Sequence, residues 1–229
     1  MKVIVIAPHP DDEVFGCGGT ISRFASEGAD VYVAIITKGD STLCKPEEVE
    51  QGREHARQAH KLLGVKKTLF FEGIPAAFVD TVPHSKLNKL IRELIDNITP
   101  DIMFIPFIGD IHFDHRLIFE SCLVAIRPNG QKIPREVYAY ETLSETNWNA
   151  PMLSYAFTPN TFIDISEHLE NKLKAASIFK GQIKPFPNER SLEALRALAI
   201  QRGAQVGLHA AEGFVLIRAI HSNESKLLH

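Results

Sequence analysis

Short β-branched runs alternate with segments of helical period through the first half of the chain, and no other feature constrains the fold as much. Val3–Ala7 ends at Pro8 and is followed by a glycine cluster and by Ile21, Phe24 and Ala25 at helical spacing, the pattern of a buried strand feeding a helix. Val31–Thr37 reads as a second strand, Glu47–Leu63 as an amphipathic helix stopped by Gly64, and Thr68–Phe71 as a third strand. Lys86–Ile98 follows as a helix ending before Pro100, and Ile102–Pro106 as a fourth strand. The expectation is an α/β protein, a Rossmann-like and mostly parallel sheet with helices on both faces. Ligands of such sheets sit at the carboxyl ends of the strands, so the residues after each strand are where a site is sought.

The second half is less regular. Strands are expected at Glu136–Tyr140 and Thr161–Ile165, a helix from a Ser166 cap through about Lys180, and another helix at Ser191–Gln205, while Phe214–Ile220 fits a strand or a helix. Thr146–Pro151 and Lys184–Pro187 are too short and unbiased to be linkers, and no internal repeat is evident, so residues 1–229 read as one domain. With 25 Lys+Arg against 28 Asp+Glu and no long basic run, a surface that tracks nucleic-acid phosphates lacks electrostatic support. Cys17, Cys44 and Cys122 are scattered and never in a CxxC pair, which argues against a disulfide scaffold or a cysteine zinc knuckle and fits a reducing cytoplasm. No apolar run approaches the roughly 20 residues of a membrane span. Val3–Ala7 is too short for a signal-peptide core and runs into Asp11, Asp12 and Glu13, so it reads as a strand of the mature chain.

That first strand opens into Pro8-His9-Pro10-Asp11-Asp12-Glu13, one imidazole and three carboxylates at the mouth of the expected sheet. Crowded acids raise one another's pKa unless a cation or hydrogen-bond donors relieve them, so the cluster points to metal binding or proton transfer; a plain polar turn capping the next helix is the bland alternative. His9 and Asp12 are three apart, and a turn beginning at Pro10 can aim both at one point with Asp11 displaced from them. The fourth strand is followed by Gly109-Asp110-Ile111-His112-Phe113-Asp114-His115-Arg116. Either His112 or His115 can complete a three-ligand N/O set with His9 and Asp12, leaving the other beside the metal as a hydrogen-bond donor or acid.

These two motifs, in this order, resemble the PIG-L/LmbE-like family of zinc-dependent N-acetylglucosaminide deacetylases. The resemblance extends to Arg53, Leu62-Leu63-Gly64-Val65, Tyr140-Glu141-x-x-Ser144-x-Thr146-x-Trp148, and Asp164-Ile165-Ser166 followed by Lys172. It departs at Phe113, where the family often has proline. The resemblance implies zinc held by His9, Asp12 and His115, with Asp11 as general base, His112 facing the oxyanion and Asp114 orienting a neighbouring histidine. Iron(II) fits the same ligand set, since N/O donors do not by themselves select zinc. The implied chemistry is hydrolysis of an N-acetyl group on an acetamido sugar or glycoconjugate, with protonated His112 stabilising the tetrahedral oxyanion. Arg53 is then a substrate contact, Trp148 an apolar wall against a sugar face, and His209 a candidate acid or substrate contact, which some relatives supply from a neighbouring subunit. A homo-oligomer, trimer or hexamer, is expected.

Two readings from other classes compete. Gly16-Cys17-Gly18-Gly19 follows the first strand as a dinucleotide loop of an oxidoreductase would, but G-x-G-x-x-G needs glycine where Ile21 stands, and the acidic cluster would repel a pyrophosphate. The glycines more readily allow a close backbone approach. A non-catalytic metal- or sugar-binding protein would leave Asp11 and His112 without a reason to accompany the ligands.

Overall fold

The computed structural model describes residues 1–128 and 132–221. Strands β1 (Lys2–Ala7), β2 (Asp30–Ile35), β3 (Lys67–Phe70), β4 (Ile102–Ile105), β5 (Glu136–Tyr140), β6 (Thr161–Asp164) and β7 (Ala211–Ala219) form one sheet in the order β3-β2-β1-β4-β5-β7-β6. Pairing is parallel from β3 through β5, while β7 runs antiparallel to both β5 and β6. The helices are α1 (Asp12–Ser26), α2 (Pro46–Leu63), α3 (His84–Ile98), α4 (Phe113–Ala125), α5 (Leu169–Ile178) and α6 (Leu192–Ala204).

Strand residues alternate between two cores, which is why these strands are apolar on both faces. Val3, Val5 and Ala7 of β1 join residues of α1, α2, α5 and α6 on one face, and Ile4 and Ile6 join residues of α3 and α4 on the other. Helix α1 lies close to the sheet because its glycines leave room. A Cβ on Gly16 would stand 2.3 Å from Cδ2 of Tyr140, and one on Gly19 would stand 2.7 Å from Ile165. The glycine cluster therefore serves packing. A buried ion pair also enters α1: Lys172 Nζ donates to the Phe15 carbonyl at 2.7 Å and to Glu212 Oε1 at 2.6 Å. Glu212 in turn accepts the amides of Gly19 and Thr20, at 2.9 and 2.7 Å.

Boundaries differ from the sequence reading by a residue or two except in two places. Ser166 does not cap α5: its amide and hydroxyl both donate to Asp164 Oδ1, at 2.9 and 2.6 Å, a local turn that delays the helix until Leu169. The segment left open near the C-terminus is strand β7, held between β5 and β6. In the sheet order β1 stands between β2 and β4, so the chain leaves β1 and β4 toward opposite faces and opens a crevice at their carboxyl ends. Among the described residues no helix is long and apolar enough to cross a membrane.

Candidate functional site

His9 and Asp12 come from the β1–α1 turn, and His115 from the first turn of α4 across the crevice. Asp12 Oδ2 accepts the His9 amide at 2.9 Å and lies 3.2 Å from His9 Nδ1 and 3.3 Å from His115 Nε2. Tetrahedral metal bonds of about 2.0–2.1 Å separate donor atoms by roughly 3.3 Å, so the spacing fits one small cation. The buried His115 Nε2 has no hydrogen-bond partner. An orphaned imidazole nitrogen beside a carboxylate is what a metal site leaves when its donors are set to face an ion.

Each of these imidazoles is oriented by a second carboxylate on its other nitrogen. His115 Nδ1–H donates to the buried Asp110 Oδ2 at 2.8 Å, and Asp110 Oδ1 accepts the Thr146 hydroxyl at 2.6 Å. His9 Nε2–H donates to Asp114 Oδ2 at 3.0 Å, and Asp114 also accepts the Ala77 amide at 2.7 Å. His9, His112 and Asp114 form a second group close enough to hold an ion, but the amides and His9 already occupy the Asp114 oxygens. Burial opposes charge on His9, yet hydrogen bonds to Asp114 and Asp12 outweigh it and raise its pKa to about 9. For His115 burial is likewise outweighed, by Asp12 and Asp110, and the pKa rises to about 10. Burial also opposes charge on Asp12, but His115 and His9 hold its carboxyl well below the ordinary range.

His112 departs from the protonated state expected of it. Burial and the neighbouring charge of His9 push its pKa down to about 4, so the ring is neutral at pH 7. It caps α4, with Nδ1 accepting the Asp114 amide at 3.2 Å, which places its hydrogen on Nε2 as a donor.

Asp11 occupies the N-cap position of α1 at φ 128 with no side-chain capping bond, so the bland helix-cap reading of this residue fails. Burial and the adjacent Asp12 raise its pKa to about 8, against the pull of Arg190. Sequence reasoning did not single out Arg190. It lies on the loop before α6, donates from Nη1 to Asp11 Oδ2 at 3.0 Å and from Nε to Ser144 Oγ at 2.6 Å, and stacks over Phe15 at 5.0 Å. Glu145, 3.6 Å from Arg190 Nη2, was missed as well. Asp110 carried a signal, being an acid just before two histidines at a strand end; Arg190, 179 residues from its partner, carried none.

Residues 4–126 match the PIG-L family, GlcNAc-PI de-N-acetylase. The chain belongs to this family. A diacetylchitobiose deacetylase of Thermococcus kodakarensis is 30% identical, with 96% of this chain and 84% of the relative covered. The solved N,N'-diacetylchitobiose deacetylase of Pyrococcus horikoshii is 28% identical with a TM-score of 0.74, covering 94% of this chain and 83% of that one. A relative of another activity, the 4-oxalmesaconate hydratase of Pseudomonas putida, is 24% identical over 96% of this chain and 88% of its own length. The proteins this chain is similar to are thus named for more than one kind of reaction.

Beside the triad of this PIG-L chain lies a cavity of about 890 Å³, lined by His9, Asp11, Asp12, Arg53, Glu145 and Arg190 among others. Arg53 reaches it from α2 but is already engaged, its guanidinium donating to Glu72 Oε1 at 2.5 Å and to the Phe71 carbonyl at 3.2 Å. Trp148 is not among the lining residues. It is exposed and donates its indole N–H to Glu189 Oε1 at 2.5 Å, one residue from Arg190. His209 is exposed and lies near Asp164, whose carbonyl accepts Arg23 from the last turn of α1, the end of that helix away from Asp11. Within one chain, therefore, His9, Asp11, Asp12, His112, Asp114 and His115 assemble together, Arg53 stands on the cavity wall, and Trp148 and His209 lie outside it.

Proposed function

We propose that this chain hydrolyses the N-acetyl group of an N-acetylglucosamine-type sugar or glycoconjugate, with His9, Asp12 and His115 holding a divalent cation. The observation that carries the reading is the buried, unpartnered His115 Nε2 facing Asp12 with His9 Nδ1 on the other side. Zinc is the first assignment and iron(II) the second, because the N/O donor set suits both. When bound, the cation acts as a Lewis acid that polarises the amide carbonyl and lowers the pKa of water toward about 7.

The protein's own residues do the rest. Asp110 and Asp114 take the outward N–H of His115 and His9, so the inward nitrogens are the ones that give up a proton and offer a lone pair when a cation binds. Asp11, outside the donor set and seated against Arg190, accepts the proton of the attacking water. The neutral His112 donates its Nε2–H to the oxyanion that develops on the carbonyl. Once charged with that proton, Asp11 is the group we assign to return it to the departing amine. From the resemblance and the three free cysteines we further infer a homo-oligomer, trimer or hexamer, working in a reducing cytoplasm.

Asp11→Asn tests the assignment: acetate release falls about 10²- to 10⁴-fold while metal content stays near one ion per chain. Parallel loss of both would make Asp11 a ligand. The hydratase relative defines the second reading, water addition to a carbon–carbon double bond of an unsaturated tricarboxylate. Acetate release from acetamido sugars separates the two, and its absence alongside loss of a conjugated chromophore would overturn ours.

A further inference from the structure

Two fully buried polar residues have no part in the mechanism above. Glu13 is the last acid of the first motif, and its Oε1 accepts His60 Nε2–H of α2 at 2.9 Å. His60 Nδ1 in turn pairs with Thr68 Oγ1 of β3 at 2.7 Å. The other oxygen, Glu13 Oε2, accepts the backbone amide of Asp11 at 3.2 Å. This chain of contacts runs from the sheet through α2 and ends on the peptide of the residue we assign as base.

That peptide needs holding. Asp11 has φ 128, a region sparsely populated by residues with a Cβ, and such a pose persists only where its surroundings over-determine it. The Asp11 carbonyl is fixed by the amides of Val14 and Phe15, each at 2.9 Å, and its carboxylate by Arg190. The amide is fixed by Glu13. Adjacent acids would otherwise share one direction or repel; here Asp12 turns to the histidines and Asp11 to Arg190. An apolar residue would fill the Glu13 position at no desolvation cost, so a buried acid with a buried histidine partner calls for a role.

We infer that Glu13, seated by His60 and Thr68, is a positioning residue whose Oε2 holds the Asp11 peptide in its positive-φ pose and so sets where the basic carboxylate stands. This rests on the reading of Asp11 as base. Glu13→Leu is expected to lower kcat roughly 10- to 100-fold, the cost of displacing a catalytic group, with KM and metal content little changed. In the Asp11→Asn background the same substitution costs at most about twofold, because its effect runs through the carboxylate already removed. Glu13→Gln recovers most of the activity, since its amide oxygen accepts from Asp11 and its NH2 donates to the other His60 tautomer. A second measurement needs no substrate: by hydrogen exchange, the Asp11 amide of the wild-type protein is as protected as those of Val14 and Phe15, and Glu13→Leu exposes it. Equal activity losses in both backgrounds, or an Asp11 amide exchanging at an open-loop rate in wild type, would overturn the inference. Should wild type release no acetate, the deacetylase reading falls while the exchange measurement still decides this one, including when Glu13→Leu fails to fold.

Discussion

Loading the metal-stripped protein with Zn2+ at pH 7 is expected to release between two and three protons per chain. Without metal, His9 holds its proton to about pH 9 and His115 to about pH 10, because hydrogen bonds and charge from Asp12, Asp114 and Asp110 outweigh burial. A cation requires the lone pair on each ring, so both protons leave on binding. Asp11, raised to about 8 by burial and Asp12, contributes the remainder when the cation's charge draws its pKa down. Stripping two imidazoles that titrate about two and three units above pH 7 takes roughly 7 kcal/mol from the affinity there, at ~1.4 kcal/mol per unit. The apparent affinity accordingly rises at least a hundredfold, to order of magnitude, between pH 7 and 8. Calorimetry in buffers of different ionisation enthalpy counts the protons directly, and Asp114→Asn should lower the count by easing His9 toward its ordinary value. Stability carries the same signature. Both histidine pKa values are raised above the unfolded value near 6.5, so their contribution to the metal-free fold is complete below that pH and is lost as pH rises through about 9 and 10. Thermal midpoints of stripped protein should therefore fall from pH 7 to 10. Release of one proton or fewer at pH 7, or an affinity that is flat from pH 7 to 8, would refute the reasoning.

Three further outcomes follow from contacts already described. Gly16→Ala forces a methyl to 2.3 Å from Tyr140 and should destabilise by about 1–3 kcal/mol, read as a lower denaturation midpoint at unchanged slope. Lys172→Met leaves Glu212 charged and unpaired in the interior and should cost about 3–5 kcal/mol, or roughly 6–20 °C in Tm; Lys172→Met with Glu212→Gln should recover part of that loss. Arg190→Met removes the cation that lowers the Asp11 pKa, so the acidic limb of kcat/KM moves to higher pH, and an unmoved limb would detach Arg190 from the base.

How far the site was readable depended on the distance over which its parts had to meet. His9 and Asp12 converge through a three-residue turn beginning at Pro10, a relation local enough to be seen in the chain itself. Asp110, Asp114 and His115 share the first turn of α4 and the loop before it, so their grouping was visible too, although which nitrogen of each ring faces inward was not. Arg190, Glu145 and the Glu13–His60 pair left no trace, because each meets its partner only when separate elements pack. The state of His112 belongs to the same class: its pKa of about 4 is set by burial and by the charge on His9, 103 positions away.

For the fold, β-branched runs spaced by helical periods determined the first four strands of the parallel sheet and the three helices between them, since a strand buried on both faces must be apolar at every position. The direction of β7 and the late start of α5 were decided by tertiary structure, the first by pairing with β5 and β6 and the second by the Asp164 carboxylate capturing Ser166. The same division holds for the chemistry. The chain alone determined which residue types stand at the strand ends, because those positions are local; packing decided the positive φ of Asp11, the cation beside it and the proton each histidine keeps, because backbone strain and electrostatic fields are sums over elements that only folding brings together.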